Sequence, residues 1–203
     1  TNLGYFQQGE QADSYLTAQF SRNFAGGINY TLDYQRISMI GDLNQYPNQN
    51  ARNTALANGL WFHSENGRYD GFLSFTANTI EQEDNGGLAV EPAVEGAFDS
   101  PASAEIFLED AQTRHAHREL MYTHYYRCGG QQDTLGNFRR AFTLSHQASY
   151  NTSKYKFFDR SPPSDSSYYG IFDVDPRGIR HYLEHRKLEN SFRLSTYKLA
   201  AGG

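Results

Sequence analysis

Histidine has the widest chemical reach of any residue type in this chain, and there are seven copies of it. His115 and His117 stand two apart, so an extended backbone would project both rings to one side. With Glu105, Glu109 or Asp110 they offer the donor types of a zinc site, and His124 follows one strand further on. No third ligand stands at a fixed metal-site spacing. The segment 102–118 reads as loop, with a short helix behind Pro101 as the alternative. Ser145-His146 has the residue types of a nucleophile and its base, but neighbours on a strand point to opposite faces and cannot share the required hydrogen bond. His146 and Ser149 fail for the same reason of parity. The run Glu81-Gln82-Glu83-Asp84-Asn85-Gly86-Gly87 is rich in oxygen donors but lacks calcium-loop spacing, and reads as a solvated loop tip. The expectation is therefore no metal, no cofactor and no enzymatic site.

Bulk properties exclude further classes. Cys128 is the single cysteine, which rules out a disulfide framework and a cysteine-based metal site. A net charge of -5 gives no global attraction to nucleic acid. The mean hydropathy is -0.73, and no apolar run approaches the roughly 18 residues a transmembrane helix needs. Tyr (15) and Phe (14) dominate the apolar residues, against one Trp and two Met, a composition that favours strands. The chain opens without the basic and apolar stretches of a signal peptide and ends at Ala200-Ala201-Gly202-Gly203, so a portion of a longer protein is expected.

The elements that carry these residues show a period of two. Over 28–36, Ile28, Tyr30, Leu32 and Tyr34 alternate with Asn29, Thr31, Asp33 and Gln35. Leu16, Ala18, Phe20 and Phe24 oppose Thr17, Gln19, Ser21 and Asn23, and Tyr69, Gly71, Leu73, Phe75 and Ala77 oppose Asp70, Ser74, Thr76 and Asn78. Phe138, Phe142, Leu144, Ala148 and Tyr150 oppose Arg139, Thr143, Ser145, Gln147 and Ser149. With weaker patterns at 55–64, 119–127 and 179–198 and a start at 2–8, about eight strands are expected.

The connections alternate in length. Ala25-Gly26-Gly27 and Glu65-Asn66-Gly67-Arg68 are tight turns, Asn-Gly supplying positive φ. The stretches 42–54, 81–117 and 161–178 are long, and 129–137 is intermediate. Several segments reach the 9–11 residues or more that an oblique bilayer crossing takes. Long amphipathic strands joined by short turns on one rim and long loops on the other predict an all-β, antiparallel, up-and-down transmembrane barrel. Its periplasmic turns would be short and its extracellular loops long, and one domain of 1–203 would form part of a larger wall. The lumen-facing candidates are Thr17, Gln19, Ser21, Asn29, Thr31, Asp33, Gln35, Asp70, Ser74, Thr76, Asn78, Thr143, Ser145, Gln147 and Ser149. Tyr15, Tyr30, Tyr34, Tyr69, Tyr122, Tyr125, Tyr126, Tyr150 and Tyr155 are candidates for interfacial girdles. Arg22, Arg36 and Arg140 continue the apolar face near strand ends, Arg139 belongs to the polar side, and Arg127 lies near a strand end.

Four places carry a family resemblance: Asn66-Gly67-Arg68-Tyr69, Glu83-Asp84-Asn85-Gly86-Gly87, Leu108-Glu109-Asp110-Ala111, and Tyr182, Arg186, Glu189-Asn190 and Phe192 along the last strand. With these the chain resembles the putative porin family of Bacteroidetes-type outer membranes over most of its length. The resemblance implies a β-barrel with a transport role in a family of considerably longer chains, and it transfers no binding residues. The expected function is passive diffusion of small hydrophilic solutes or ions across the bacterial outer membrane. Expected partners are outer-membrane lipids and lipopolysaccharide, with other outer-membrane subunits as further candidates. Two alternatives stay open: a non-conducting structural or secretion-associated barrel subunit, and a soluble all-β glycan-binding module.

Overall fold

Eight strands form one antiparallel sheet in strict chain order: β1 (Asn2–Gln7), β2 (Ser14–Phe24), β3 (Ile28–Met39), β4 (Ala51–His63), β5 (Tyr69–Asp84), β6 (Ala111–Cys128), β7 (Phe142–Asp159) and β8 (Ile179–Thr196). The structure is a computed structural model and describes residues 1–7, 13–40, 45–89, 100–129, 142–163, 168–170 and 177–196. Phe138, Arg139, Arg140 and the Ala200-Ala201-Gly202-Gly203 end lie outside the described residues. Every strand pairs with its sequence neighbours, while β1 and β8 do not pair with each other, so the sheet is open. It is the up-and-down, all-β arrangement that the alternation and turn spacing predict.

The tight turns have local causes. Gly26 and Gly27 adopt φ of 76° and 74°, and His63 donates its backbone N–H to the Gly27 carbonyl at 2.8 Å. A Cβ at Gly27 would come within 2.1 Å of the His63 oxygen, so only glycine lets the adjacent hairpin approach. In the 64–68 turn, Asn66 Oδ1 accepts the Arg68 N–H at 3.0 Å, an Asx turn that positions Gly67 at φ 65°.

Strands β4 to β8 run from 13 to 18 residues, and several exceed their expected ends. β4 begins at Ala51, β5 continues to Asp84 and β6 starts at Ala111. Glu81, Glu83 and Asp84 and both His115 and His117 are therefore strand residues. The loop expected at 42–54 narrows to 40–50, and that at 81–117 to 85–110. In these extensions both faces are polar, so side-chain alternation fades while the backbone ladder continues. The only helical turn among the described residues is a single 3-10 turn at Pro101–Ser103.

The tight turns 25–27 and 64–68 lie on one rim, the short-turn rim, with the strand ends Cys128 and Phe142; the strand ends Gln7 and Ser14, Met39 and Ala51, Asp84 and Ala111, and Asp159 and Ile179 lie on the other, the long-loop rim. The buried apolar residues among those described, Ala104, Leu108 and Ala111, lie at the long-loop rim. Asn48 Nδ2 donates to the carbonyls of Leu108 (3.1 Å) and Glu109 (2.6 Å), and Asn85 Nδ2 donates to the Pro47 carbonyl at 3.1 Å. Tyr168 donates to the Gly86 carbonyl at 3.1 Å and packs on Phe107, ring centres 5.2 Å apart. Three connections are thereby tied into one layer.

Candidate functional site: the two faces of the sheet

Directly paired residues share a face, so the register extends each strand's parity across the whole sheet. Gln19 pairs with Asp33, Asp33 with Ala57, Ala57 with Thr76, Thr76 with Glu119, Glu119 with Asn151 and Asn151 with Lys187. This row marks a polar face. All fifteen residues singled out from sequence fall on it: Thr17, Gln19 and Ser21 from β2; Asn29, Thr31, Asp33 and Gln35 from β3; Asp70, Ser74, Thr76 and Asn78 from β5; Thr143, Ser145, Gln147 and Ser149 from β7. Four strands assigned separately by alternation thus agree through the hydrogen-bond ladder.

The structure adds residues that sequence patterning missed. β6 and β8 contribute His115, His117, Glu119, Thr123, Lys187, Glu189 and Arg193 to the same face, and β4 contributes Asn53 beside Ala55, Ala57 and Gly59. Small residues on this side of β4 hide its polar character in the sequence. Polar contacts knit the face: Gln19 Nε2 donates to Asp33 Oδ2 at 2.9 Å, and His115 Nε2 lies 3.1 Å from Ser153 Oγ. Near the short-turn rim Asp70 is buried, with Oδ1 2.5 Å from His63 Nδ1 and Oδ2 in an ion pair with Arg127. Arg127 also donates to the Gly67 carbonyl at 2.9 Å, tying β6 to the 64–68 turn. Above this cluster Trp61 stacks on Phe72 (6.0 Å, 4°), and Phe72 meets Tyr125 edge-on at 6.1 Å. These rings were not foreseen on the polar face.

The opposite face carries Phe20, Leu32, Phe75, Leu120, Tyr150 and Leu188 in one paired row, interrupted only by Asn58. Phe24, Ile28, Phe62, Leu60, Leu73, Leu144, Phe192 and Leu194 dominate the rows nearer the short turns, with His124, His146 and Asn190 among them. Nothing among the described residues covers this band: mid-sheet Leu73 is 41% exposed, Leu120 48% and Tyr150 44%. On β5 it extends from Tyr69 to Ala77, about 20–25 Å in height at roughly 3.3 Å per residue and a 40° tilt. Beyond it, towards the long loops, the same face turns charged with Arg52, Glu81, Arg114, Arg118, Lys154, Lys156, Glu184 and Arg186.

Tyr30, Tyr34, Tyr69, Tyr122, Tyr126 and Tyr150 share the apolar face, whereas Tyr15, Tyr125 and Tyr155 lie on the polar one, so the girdle set is smaller than expected. Arg22 and Arg36 continue the apolar face, and Arg22 lies over the Phe24 ring at 5.3 Å. Ser145 and His146 point to opposite faces; Ser145 bonds the Arg193 carbonyl, and His146 bonds His124 and Asn190. His115 and His117 share a face, His124 lies on the other, and no group of three or more metal-ligating side chains occurs among the described residues.

An open, strictly sequential sheet of long strands, polar on one face and bare apolar on the other, defines the wall architecture of a β-barrel. The chain belongs to the family described as "Putative porin", whose model matches residues 1–201. No curated protein and no solved structure gives a significant match.

Proposed function

We propose that this chain forms part of the wall of an outer-membrane barrel through which small hydrophilic solutes or ions diffuse passively. The observation that carries this reading is the division of one continuous sheet into a polar face and an uncovered apolar band of bilayer height. A soluble β-sandwich would bury such a band against a second sheet. An apolar surface of this extent is matched by hydrocarbon instead.

In this reading the fifteen polar-face residues line the interior, and the apolar rows meet lipid. Backbone groups at an open edge are costly in hydrocarbon, so β1 and β8 would pair with further strands. The tied loop layer supports a second reading, a barrel whose long-loop end is closed and which serves as a structural subunit. Planar-bilayer recordings on the purified full-length protein separate the two. The diffusion reading expects stepwise, ohmic conductance that rises with salt concentration. Silent bilayers, with insertion verified by protease protection, would leave only the structural reading.

A further inference from the structure

The charged part of the outward face contains a defined pocket. About 180 Å³ in volume, it is lined by Arg114, Ala116, Arg118, Thr152, Lys154 and Lys156, with four cations and no acid among them. Arg114 and Lys156 are directly opposed in the β6–β7 ladder, an arrangement that repels unless an anion sits between them. Two acids flank the cluster without cancelling it: Glu81 pairs with Arg114 at 3.3 Å, and Glu184 with Lys154 and Arg186 at 3.4 and 2.6 Å, which leaves the five cations with a net excess of three charges. Arg118 has no carboxylate partner among the described residues, and Lys156 lies over the Tyr182 ring at 5.4 Å. The cluster retains excess positive charge, held apart on a rigid ladder.

What lies below the pocket identifies the ligand class. A second groove shares Arg118, Thr152 and Lys154 with it, adds Arg186 with its partner Glu184 and also Glu119, and continues past Phe75, Leu120 and Tyr150 onto the apolar band. Cations therefore stand at the edge of the band, with the apolar side chains Phe75, Leu120 and Tyr150 in the same groove. We propose that Arg114, Arg118, Lys154 and Lys156 bind the phosphorylated headgroup of a lipid in the long-loop leaflet, with its acyl chains lying along Phe75, Leu120 and Tyr150. This inference rests on the reading that the apolar face meets lipid. Guanidinium groups supply forked donors to phosphate oxygens, and the two lysines add point charges. Free phosphate would satisfy the cations but leave the apolar half of the groove unused.

The test is native mass spectrometry of the full-length protein in neutral detergent. It is titrated with diphosphorylated lipid A, with its dephosphorylated form, or with inorganic phosphate. The expected result is a saturable lipid A adduct, with affinity falling about five-fold for each cation removed. The quadruple variant R114Q/R118Q/K154Q/K156Q should lose binding by two orders of magnitude or more, while R22Q on the opposite rim leaves it unchanged. Circular dichroism confirms that the quadruple variant keeps its sheet; if it does not, the pairs R114Q/R118Q and K154Q/K156Q carry the same comparison. Equal binding by wild type and variants, equal binding of dephosphorylated lipid, or displacement of lipid A by millimolar phosphate overturns the proposal. Thiol labelling of the two faces reads the underlying assignment independently: lipid labelling of the apolar face with no lipid A adduct defeats this site alone, and labelling with reversed faces defeats the wall reading as well.

Discussion

Asp70 is 5% exposed on the polar face, and both its oxygens are committed, one to His63 and one to Arg127. Removing Arg127 leaves a buried carboxylate with a single partner and frees the Gly67 carbonyl. We expect Arg127→Ala to cost about 3 kcal/mol, measured as a shift of the urea unfolding midpoint in lipid vesicles. The double substitution Asp70→Asn/Arg127→Gln should cost less than Arg127→Ala alone, because it removes the orphaned charge. A midpoint unmoved by Arg127→Ala would show that the ion pair adds nothing. At this scale the sequence is legible where parity alone decides. Ser145 and His146 separate because they are adjacent on a strand. It is illegible where the partner is distant in the chain, as with Asp70 and Arg127 or Arg114 and Lys156, since only the register brings them together.

Among the elements, the long-loop layer is the one most open to perturbation. Asp159 is 1% exposed, accepts the Ser161 N–H at 3.1 Å and accepts the Tyr169 hydroxyl at 2.7 Å. Burial, then the Asp159 carboxylate, hold the Tyr169 hydroxyl above its ordinary pKa; burial and the charges of Asp159 and Asp84 do the same for Tyr168. Raised folded-state values mean that these contacts contribute fully below about pH 10, the unfolded tyrosine value. Their contribution is lost as the pH rises from there towards the folded value. Limited proteolysis at pH 8 to 12 should therefore show the loops resisting cleavage up to about pH 10 and opening above it. Tyr169→Phe should speed cleavage at pH 8 and weaken its dependence on pH. A cleavage rate flat to pH 12 in the wild type would contradict this role. Loop positions followed from Gly and Asn turn chemistry, but strand extents did not. At 81–84 and 111–118 both faces are wet, and the ladder continues without a side-chain pattern to reveal it.

For the molecule as a whole, the central claim is that one face of the sheet meets water and the other meets lipid. Alternation made the faces of β2, β3, β5 and β7 legible because large apolar residues recur at every second position. On β4 the small residues Ala55, Ala57 and Gly59 mask the contrast, and on β8 charged residues stand on both faces towards the long-loop end. The cation pocket escaped notice because half of it lies on 114–118, a stretch that reads as loop. The most direct measurement uses the full-length protein in outer-membrane vesicles with Cys128→Ser as background and single cysteines at the adjacent pairs Tyr30/Thr31, Leu73/Ser74 and Tyr150/Asn151. The account predicts that a water-soluble, charged thiol reagent modifies positions 31, 74 and 151 at least ten-fold faster, while a hydrophobic reagent dissolved in the bilayer favours 30, 73 and 150. Equal labelling within each pair, or the reverse preference, would contradict the assignment of water to one face and lipid to the other.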